Sequence, residues 1–213
     1  MSYLNYSDSA ILLKSAFINN RILDYNSEKN IFRLIPEKKS EEEILFRPPL
    51  VFPDFDRNFS SFEELEKLSI KPNYLIILLR ADSCSIGYFE KCEMTHHKVL
   101  SAYMTRKKQG KSQLTYLKTK GKSRAGSRVR LRSSFNFFDE IADKINEWQV
   151  SDFADKIFVY TPVALKQYLF SEDSELPFSR DDSRIRKIPF SVKTPSYDEL
   201  VRINFLLSNG ELF

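Results

Sequence analysis

A four-residue segment, Gly110-Lys111-Ser112-Gln113, contains the residue types of this chain that best fit a chemical role. The Gln113 amide does not titrate, so it cannot act as a general base at any pH, but it can orient a reacting water molecule. Loop amides beside it can donate hydrogen bonds to a developing oxyanion, and Gly110 lets the backbone approach a substrate closely. Glycine followed three residues later by glutamine is a weak pattern by itself, because about 0.1 such pairs are expected by chance in this composition.

The segment lies in a stretch of the chain that carries only one sign of charge. No acidic residue occurs between Glu93 and Asp139, so this stretch has a charge of +12; because the whole chain has a net charge of +4, the remainder has −8. Such asymmetry is typical of polyanion binding, because Lys and Arg side chains that neutralise phosphates release condensed counterions. The alternative is an ordinary solvated loop. The predicted nucleic-acid contacts are Arg106, Lys107, Lys108, Lys111, Lys118, Lys120, Lys122, Arg124, Arg128, Arg130 and Arg132; the twelfth basic residue of the stretch is Lys98.

Other catalytic chemistry finds little support in the sequence. The sequence motifs of phosphate-binding loops, dinucleotide-binding turns, nucleophile elbows and zinc proteases are all absent from the chain. Cys84, Cys92, His96 and His97 come nearest to a metal cluster, but adjacent histidines rarely ligate one ion and the cysteines lack a paired spacing. We therefore expect no metal and no cofactor, with buried cysteines in a hairpin and surface histidines at its end. Cys84 is also a poor candidate nucleophile, because only the two histidines are available as bases.

A long amphipathic helix is predicted from Ser127, its N-cap, to Trp148, a length of about 33 Å at 1.5 Å per residue. Its apolar stripe consists of Leu131, Phe135, Phe138, Ala142, Ile145 and Trp148, which are spaced three or four residues apart. Three carboxylates flank this stripe: Asp139, Glu140 and Asp143. We interpret them as a solvated helix face and not as catalytic groups. Phe135 and Phe138 are expected in the core, whereas core packing and stacking on bases are both open for Phe137.

The elements around the loop alternate between strands and helices. The predicted strands cover residues 74–79, 83–89, 98–104, 156–160 and 185–190; the first two form a hairpin, and the last is an edge strand because it contains Pro189. Helices are predicted at 161–170 and 195–207 in addition to the long one, and residues 105–124 lack periodicity. This order predicts an α/β domain, a mixed sheet packed with helices, over residues 74–213. Residues 1–73 are predicted to form an N-terminal extension that packs on this domain or continues it.

The composition excludes several classes of protein. With 42% hydrophobic residues and nearly balanced charge in 213 residues, the chain can bury a core and is not a disordered protein. No apolar run approaches the roughly 18 residues of a membrane helix, and the first residues lack the plan of a signal peptide, so we expect a cytoplasmic protein without a membrane partner. Two cysteines are too few for a disulfide framework. The oligomeric state is left open.

The order of these segments resembles the Vms-like release-factor family, which is related to the middle domain of peptide-chain release factors of the eukaryotic and archaeal type. The resemblance extends from about Tyr74 to Leu207. It is carried by the hairpin, the strand at 98–103, the loop at 110–113, and the segments Ala125-Gly126-Ser127-Arg128-Val129-Arg130, 157–162 and 182–190. By this resemblance the fold is that of the release-factor middle domain, and Gln113 occupies the position of the family's loop glutamine.

The resemblance implies an enzyme that acts on peptidyl-tRNA, with Gly110, Ser112 and Gln113 as catalytic residues and the large ribosomal subunit as a partner. It leaves open whether the nascent chain is freed by ester hydrolysis or by cleavage of the tRNA acceptor end. The implied protein is a peptidyl-tRNA hydrolase or a tRNA endonuclease in ribosome rescue or quality control. Two alternatives stay open: a non-catalytic basic RNA-binding module that docks on ribosomal or transfer RNA, and a structural or protein-partner domain whose basic loop is disordered.

Overall fold

The computed structural model describes residues 2–36, 43–55, 62–101, 137–171 and 174–213. These residues form two compact units. The first unit comprises Met1–Tyr74, Phe89–Met94 and Val201–Phe213, and the second comprises Leu75–Tyr88 and Thr95–Leu200. The predicted division of the chain between residues 73 and 74 stays a prediction.

The described residues form an α/β fold with two five-stranded sheets, which confirms the predicted fold class. In chain order the elements are β1 (Ser2–Leu4), α1 (Tyr6–Ile18), β2 (Ile22–Asn26), β3 (Ile31–Leu34), β4 (Ile44–Arg47), α2 (Phe62–Lys67), β5 (Tyr74–Leu79), β6 (Ser83–Glu90), β7 (Glu93–Ser101), α3 (137–148), a 3-10 turn (Ser151–Phe153), β8 (Lys156–Tyr160), α4 (Val163–Leu169), β9 (Ile185–Lys187), α5 (Tyr197–Ser208) and β10 (Gly210–Leu212). Among the described helices, none combines the length and the hydropathy that a membrane span requires.

The sheet of the first unit is antiparallel, with the strand order β1-β10-β4-β3-β2. β10 brings the chain back beside β1, where Leu4 pairs with Gly210. Gly210 is required there by close packing, because a Cβ atom would lie 2.6 Å from Ser9 Oγ and 2.7 Å from a ring carbon of Phe46. On α1, the Asn5 side chain accepts a hydrogen bond from the backbone amide of residue 8, which fixes the start of the helix.

The sheet of the second unit has the order β7-β6-β5-β8-β9. β5 and β6 form the predicted hairpin, and both are buried over nearly their whole length. A two-residue turn joins β6 to β7: Lys91 and Cys92 have φ angles of 49° and 69°, the left-handed pair typical of a tight hairpin. β9 is an edge strand, as Pro189 predicted, and it pairs with β8 in parallel.

The strand directions bring several strand ends to one edge of this sheet. Because two hairpins join β5, β6 and β7, strands β5 and β7 run in the same direction. α3 runs back along β7, since Trp148 at its end lies 5.4 Å from the ring of His96 near the start of β7. β8 begins eight residues after Trp148, and we infer from this short connection that it starts at the same edge as β7 and runs in the same direction. The carboxyl ends of β5, β7, β8 and β9 therefore lie at the same edge, which we call the carboxyl edge.

The core of the second unit combines α3 with the central strands of the sheet. It contains Leu75, Ile77, Leu79, Ile86, Ile157 and Val159 from the strands, and Phe137, Phe138, Ile141 and Ile145 from α3. Burial confirms the predicted apolar face at Phe138, Ala142 and Ile145. Phe137, for which the sequence left base stacking open, is 4% exposed and belongs to the core. The carboxylates Asp139, Glu140 and Asp143 are exposed, as predicted, whereas residues 127–136 of the predicted helix lie outside the described residues.

Candidate functional site

The predicted catalytic loop lies outside the described residues. This holds for Gly110, Ser112 and Gln113. It also holds for the predicted nucleic-acid contacts Arg106, Lys107, Lys108, Lys111, Lys118, Lys120, Lys122, Arg124, Arg128, Arg130 and Arg132. Their roles stay predictions, and the structure instead shows the framework to which both ends of the segment 102–136 are attached.

The described residues that flank that segment belong to one hydrophobic cluster. Leu100, two residues before the segment, is 9% exposed, and Phe137 and Phe138, directly after it, are 4% and 9% exposed. All three belong to the core of the second unit. The described residues on either side of these 35 residues are therefore held by the core at the carboxyl edge. In open α/β sheets this is the edge at which ligands bind.

The connection after β8 also lies at the carboxyl edge. Val163 begins α4 there and is 90% exposed, the most exposed large apolar residue of the described chain. Further along α4, the ring of Tyr168 stacks on Phe138 at a centroid distance of 6.0 Å. This contact links α4 to α3 at the first residues described after the segment 102–136.

An ion pair fixes the chain where it enters β9. The Arg184 guanidinium donates to both Asp182 carboxylate oxygens, at 3.0 and 2.8 Å, in a forked arrangement. It also donates to the carbonyl oxygens of Ser151, at 2.6 Å, and Ala154, at 3.2 Å. The hydrogen bonds from Arg184, opposed in part by desolvation, lower the pKa of Asp182 below its ordinary value. Arg184 therefore holds β9 to the turn before β8. The local sequence does not predict this role, because the two carbonyl groups that accept from Arg184 lie about thirty residues earlier in the chain.

The residues weighed as a metal cluster do not come together. Cys84 is fully buried, and burial raises the pKa of its thiol far above the ordinary range, so it is not a nucleophile. Burial also raises the pKa of Cys92 to about 11. His96 and His97 lie within β7 and not at the end of the hairpin, on opposite faces of the strand: His96 contacts Trp148, and His97 lies 4.9 Å from Tyr197. Within the described ranges, no three His, Cys, Asp or Glu side chains are arranged to hold a metal ion.

Comparisons with known proteins find a matching family, a relative of known sequence and a solved structure of similar fold. Residues 74–212 match a family described as Bacteroidetes VLRF1 release factor. Over 106 residues the chain is 30% identical to the tRNA endonuclease VMS1 of Saccharomyces cerevisiae, a stretch that covers 49% of this chain and 16% of that protein. The chain thus spans about a sixth of the length of this relative. A solved structure titled Vms1 mitochondrial localization core has a TM-score of 0.53 at 14% identity, covering 96% of this chain and 82% of the other, which shows a shared fold.

Proposed function

Since the chain belongs to the Bacteroidetes VLRF1 release factor family, we propose that it frees stalled nascent chains from peptidyl-tRNA in ribosome rescue or quality control. Membership confirms the family resemblance drawn from the sequence, and it implies interaction with tRNA and the ribosome in general. The observation that carries the proposal is the extent of the family match, because residues 74–212 include the loop with Gln113 and the core residues on both sides of it. We place this activity in the cytoplasm.

Two reactions would free the chain, and they break different bonds. In hydrolysis, a water oxygen attacks the carbonyl carbon of the ester, the bond to the terminal ribose oxygen breaks, and the tRNA keeps its terminal adenosine. In acceptor-end cleavage, an oxygen nucleophile attacks the phosphorus of an acceptor-end phosphodiester, the bond from phosphorus to the leaving oxygen breaks, and the adenosine leaves on the peptide. The family description supports release, and the name of the yeast relative supports tRNA cleavage. In both reactions Gln113 orients the attacking group while loop amides stabilise the developing charge.

The basic stretch would hold the acceptor end through its phosphates. Phosphate contacts fix position without reading sequence, which suits an enzyme that must accept many tRNAs. We expect tRNA affinity to fall steeply with salt concentration. Charge reversal at Arg128, Arg130 and Arg132 together should weaken binding and reduce this salt dependence without unfolding the protein. Filter binding at several salt concentrations, with the melting temperature measured in parallel, checks this; unchanged binding would exclude these arginines from the contact surface.

The decisive experiment incubates the protein with ribosome-bound peptidyl-tRNA and sizes both products. An intact tRNA indicates hydrolysis, and a shortened tRNA with a nucleotide on the peptide indicates cleavage. Gln113→Ala should lower single-turnover release about a hundredfold, roughly 3 kcal/mol in the barrier, while tRNA affinity stays within about threefold. Gln109→Ala, a glutamine on the other side of Gly110, is the matched control and should keep full activity. Full release by Gln113→Ala would refute the release mechanism.

A second candidate function is a non-catalytic module that docks on ribosomal or transfer RNA. The observation that favours it is the single glycine of the loop, because Lys111 and Ser112 stand between Gly110 and Gln113 where release factors proper have two adjacent glycines before the glutamine. Such a module would bind peptidyl-tRNA with the same salt dependence and yield neither product. The product analysis therefore separates the two functions.

A further inference from the structure

Among the described residues, the outer edge of β7 is the long open edge of the second sheet. β7 has nine residues, and within the described part of the chain its only strand neighbour is β6. The opposite edge strand, β9, has three residues and is followed closely by Pro189, a common way to prevent further pairing. β7 contains neither proline nor glycine. An exposed edge of this length can accept another strand.

The tight turn before β7 determines which of its amides point outward. In a hairpin with a two-residue turn, the two residues that flank the turn form both backbone hydrogen bonds with each other. Every second pair of facing residues beyond them is hydrogen-bonded in the same way. Glu90 and Glu93 flank the turn at Lys91 and Cys92, so the odd-numbered residues of β7 bond to β6. The N–H and C=O groups of the even-numbered residues, including His96 and Lys98, therefore face away from the sheet.

The side chains along this edge would suit an extended peptide on both faces. On one face Val99 is 40% exposed and Tyr197, which contacts His97, is 48% exposed, so apolar surface adjoins the open amides. On the other face His96 packs beside Trp148 and Lys98 is exposed. No carboxylate occurs between residues 94 and 101, which leaves the Lys98 ammonium as the formal charge of this stretch.

We propose that the outer edge of β7 binds an extended segment of a partner polypeptide as an added strand. Main-chain hydrogen bonds to His96 and Lys98 hold the segment, as in other cases of strand addition. Alternation along the segment sets the preference: apolar side chains cover Val99 and Tyr197, and acidic side chains on the other face pair with Lys98. The preferred partner sequence therefore alternates apolar and acidic residues. This binding does not depend on the release activity proposed above.

The ligand-side test uses three fluorescein-labelled nonapeptides and the full chain. The first alternates Val and Glu, the second alternates Val and Lys, and the third is the first with N-methyl groups on alternate amides. We expect the Val/Glu peptide to bind with a Kd on the order of 100 μM by fluorescence anisotropy. The Val/Lys peptide should bind at least about fivefold more weakly, and N-methylation should remove binding, because it deletes the main-chain donors. Equal binding of the N-methylated peptide, or no binding of the Val/Glu peptide at millimolar concentration, would refute the proposal.

The protein-side test compares two substitutions at one position. Lys98→Pro removes an amide that does not bond to β6, so the sheet should tolerate it while binding of the Val/Glu peptide falls more than about tenfold. Lys98→Ala keeps the backbone amide, so its affinity for the Val/Glu peptide should fall only a few-fold, which is the contribution of the charge. Hydrogen exchange of the amides of His96 and Lys98 should be fast in the free protein and slow with the peptide. Slow exchange without peptide would mean that the chain itself covers the edge, and the proposal would then be wrong.

Discussion

Replacement of Arg184 by alanine should destabilise the second unit, because this side chain holds β9 to the turn before β8. The substitution removes the bonds to the carbonyl oxygens of Ser151 and Ala154 and the forked pair with Asp182. Hydrogen bonds that involve a charged group contribute about 1.5–3 kcal/mol each. The Arg184 side chain is 28% exposed, so water replaces part of what is lost, and we take the low end of the range for the two carbonyl bonds. The loss of the two carbonyl bonds alone should lower the free energy of unfolding by about 3 kcal/mol, and the loss of the pair with Asp182 adds a pH-dependent part.

The pH dependence of stability distinguishes the contribution of the ion pair from that of the bonds to the carbonyl oxygens. Asp182 has a pKa below its ordinary value in the folded protein, so its pairing stabilises the fold above the unfolded-state pKa of about 4. This contribution is lost as the pH falls through the lower, folded-state pKa. The bonds from Arg184 to the carbonyl oxygens do not titrate in this range. The difference between the parent and Arg184→Ala should therefore shrink between pH 5 and pH 3 without reaching zero.

Urea unfolding followed by circular dichroism at pH 7 and at acidic pH measures both effects. Arg184→Lys should recover only part of the loss, because an ammonium group cannot form the fork with Asp182 while also reaching two carbonyl oxygens. Arg180→Ala is the control, since Arg180 is an exposed arginine four residues away and its removal should leave the unfolding curve unchanged. A loss below about 0.5 kcal/mol for Arg184→Ala would refute the reasoning, since removal of such a bonded network normally costs several times more.

Two further predictions concern the packing at β10 and the reactivity of the cysteines. Gly210→Ala should destabilise the first unit by about 1–3 kcal/mol in urea unfolding, because the new methyl group meets the buried Ser9 hydroxyl and Phe46 ring; an unchanged midpoint would show that both move aside at no cost. At pH 8 a thiol reagent should modify Cys92 about a hundredfold more slowly than an ordinary cysteine of pKa near 9, because its pKa is about 11, and Cys84 should react only after unfolding. Fast labelling of either thiol in the folded protein would contradict the burial described here.

Local pattern was sufficient to predict much of the second unit. The apolar runs at 74–79 and 83–89 became the central hairpin, and the spacing of Phe138, Ala142 and Ile145 gave the buried face of α3. These predictions succeed because strand and helix periodicity is set by neighbours a few residues apart. The family could also be predicted from the sequence, since its characteristic segments are short and contiguous. Phe137 could not be assigned, because a residue beside an apolar stripe is buried or exposed according to what packs above it.

Tertiary structure decided the pairings between distant parts of the chain. The strand β10 lies between β1 and β4, and neither its three residues nor those of β1 contain enough alternation to predict a strand. The polar first half of β7 was missed for a similar reason, because an edge strand with exposed side chains on both faces has no hydrophobic period. Likewise, nothing in the residues around Arg184 predicts its structural role, because the two carbonyl oxygens that accept its hydrogen bonds lie about thirty residues away in the chain. Hydrogen bonds between such segments depend on where folding places them in space, and that is information a local residue pattern does not contain.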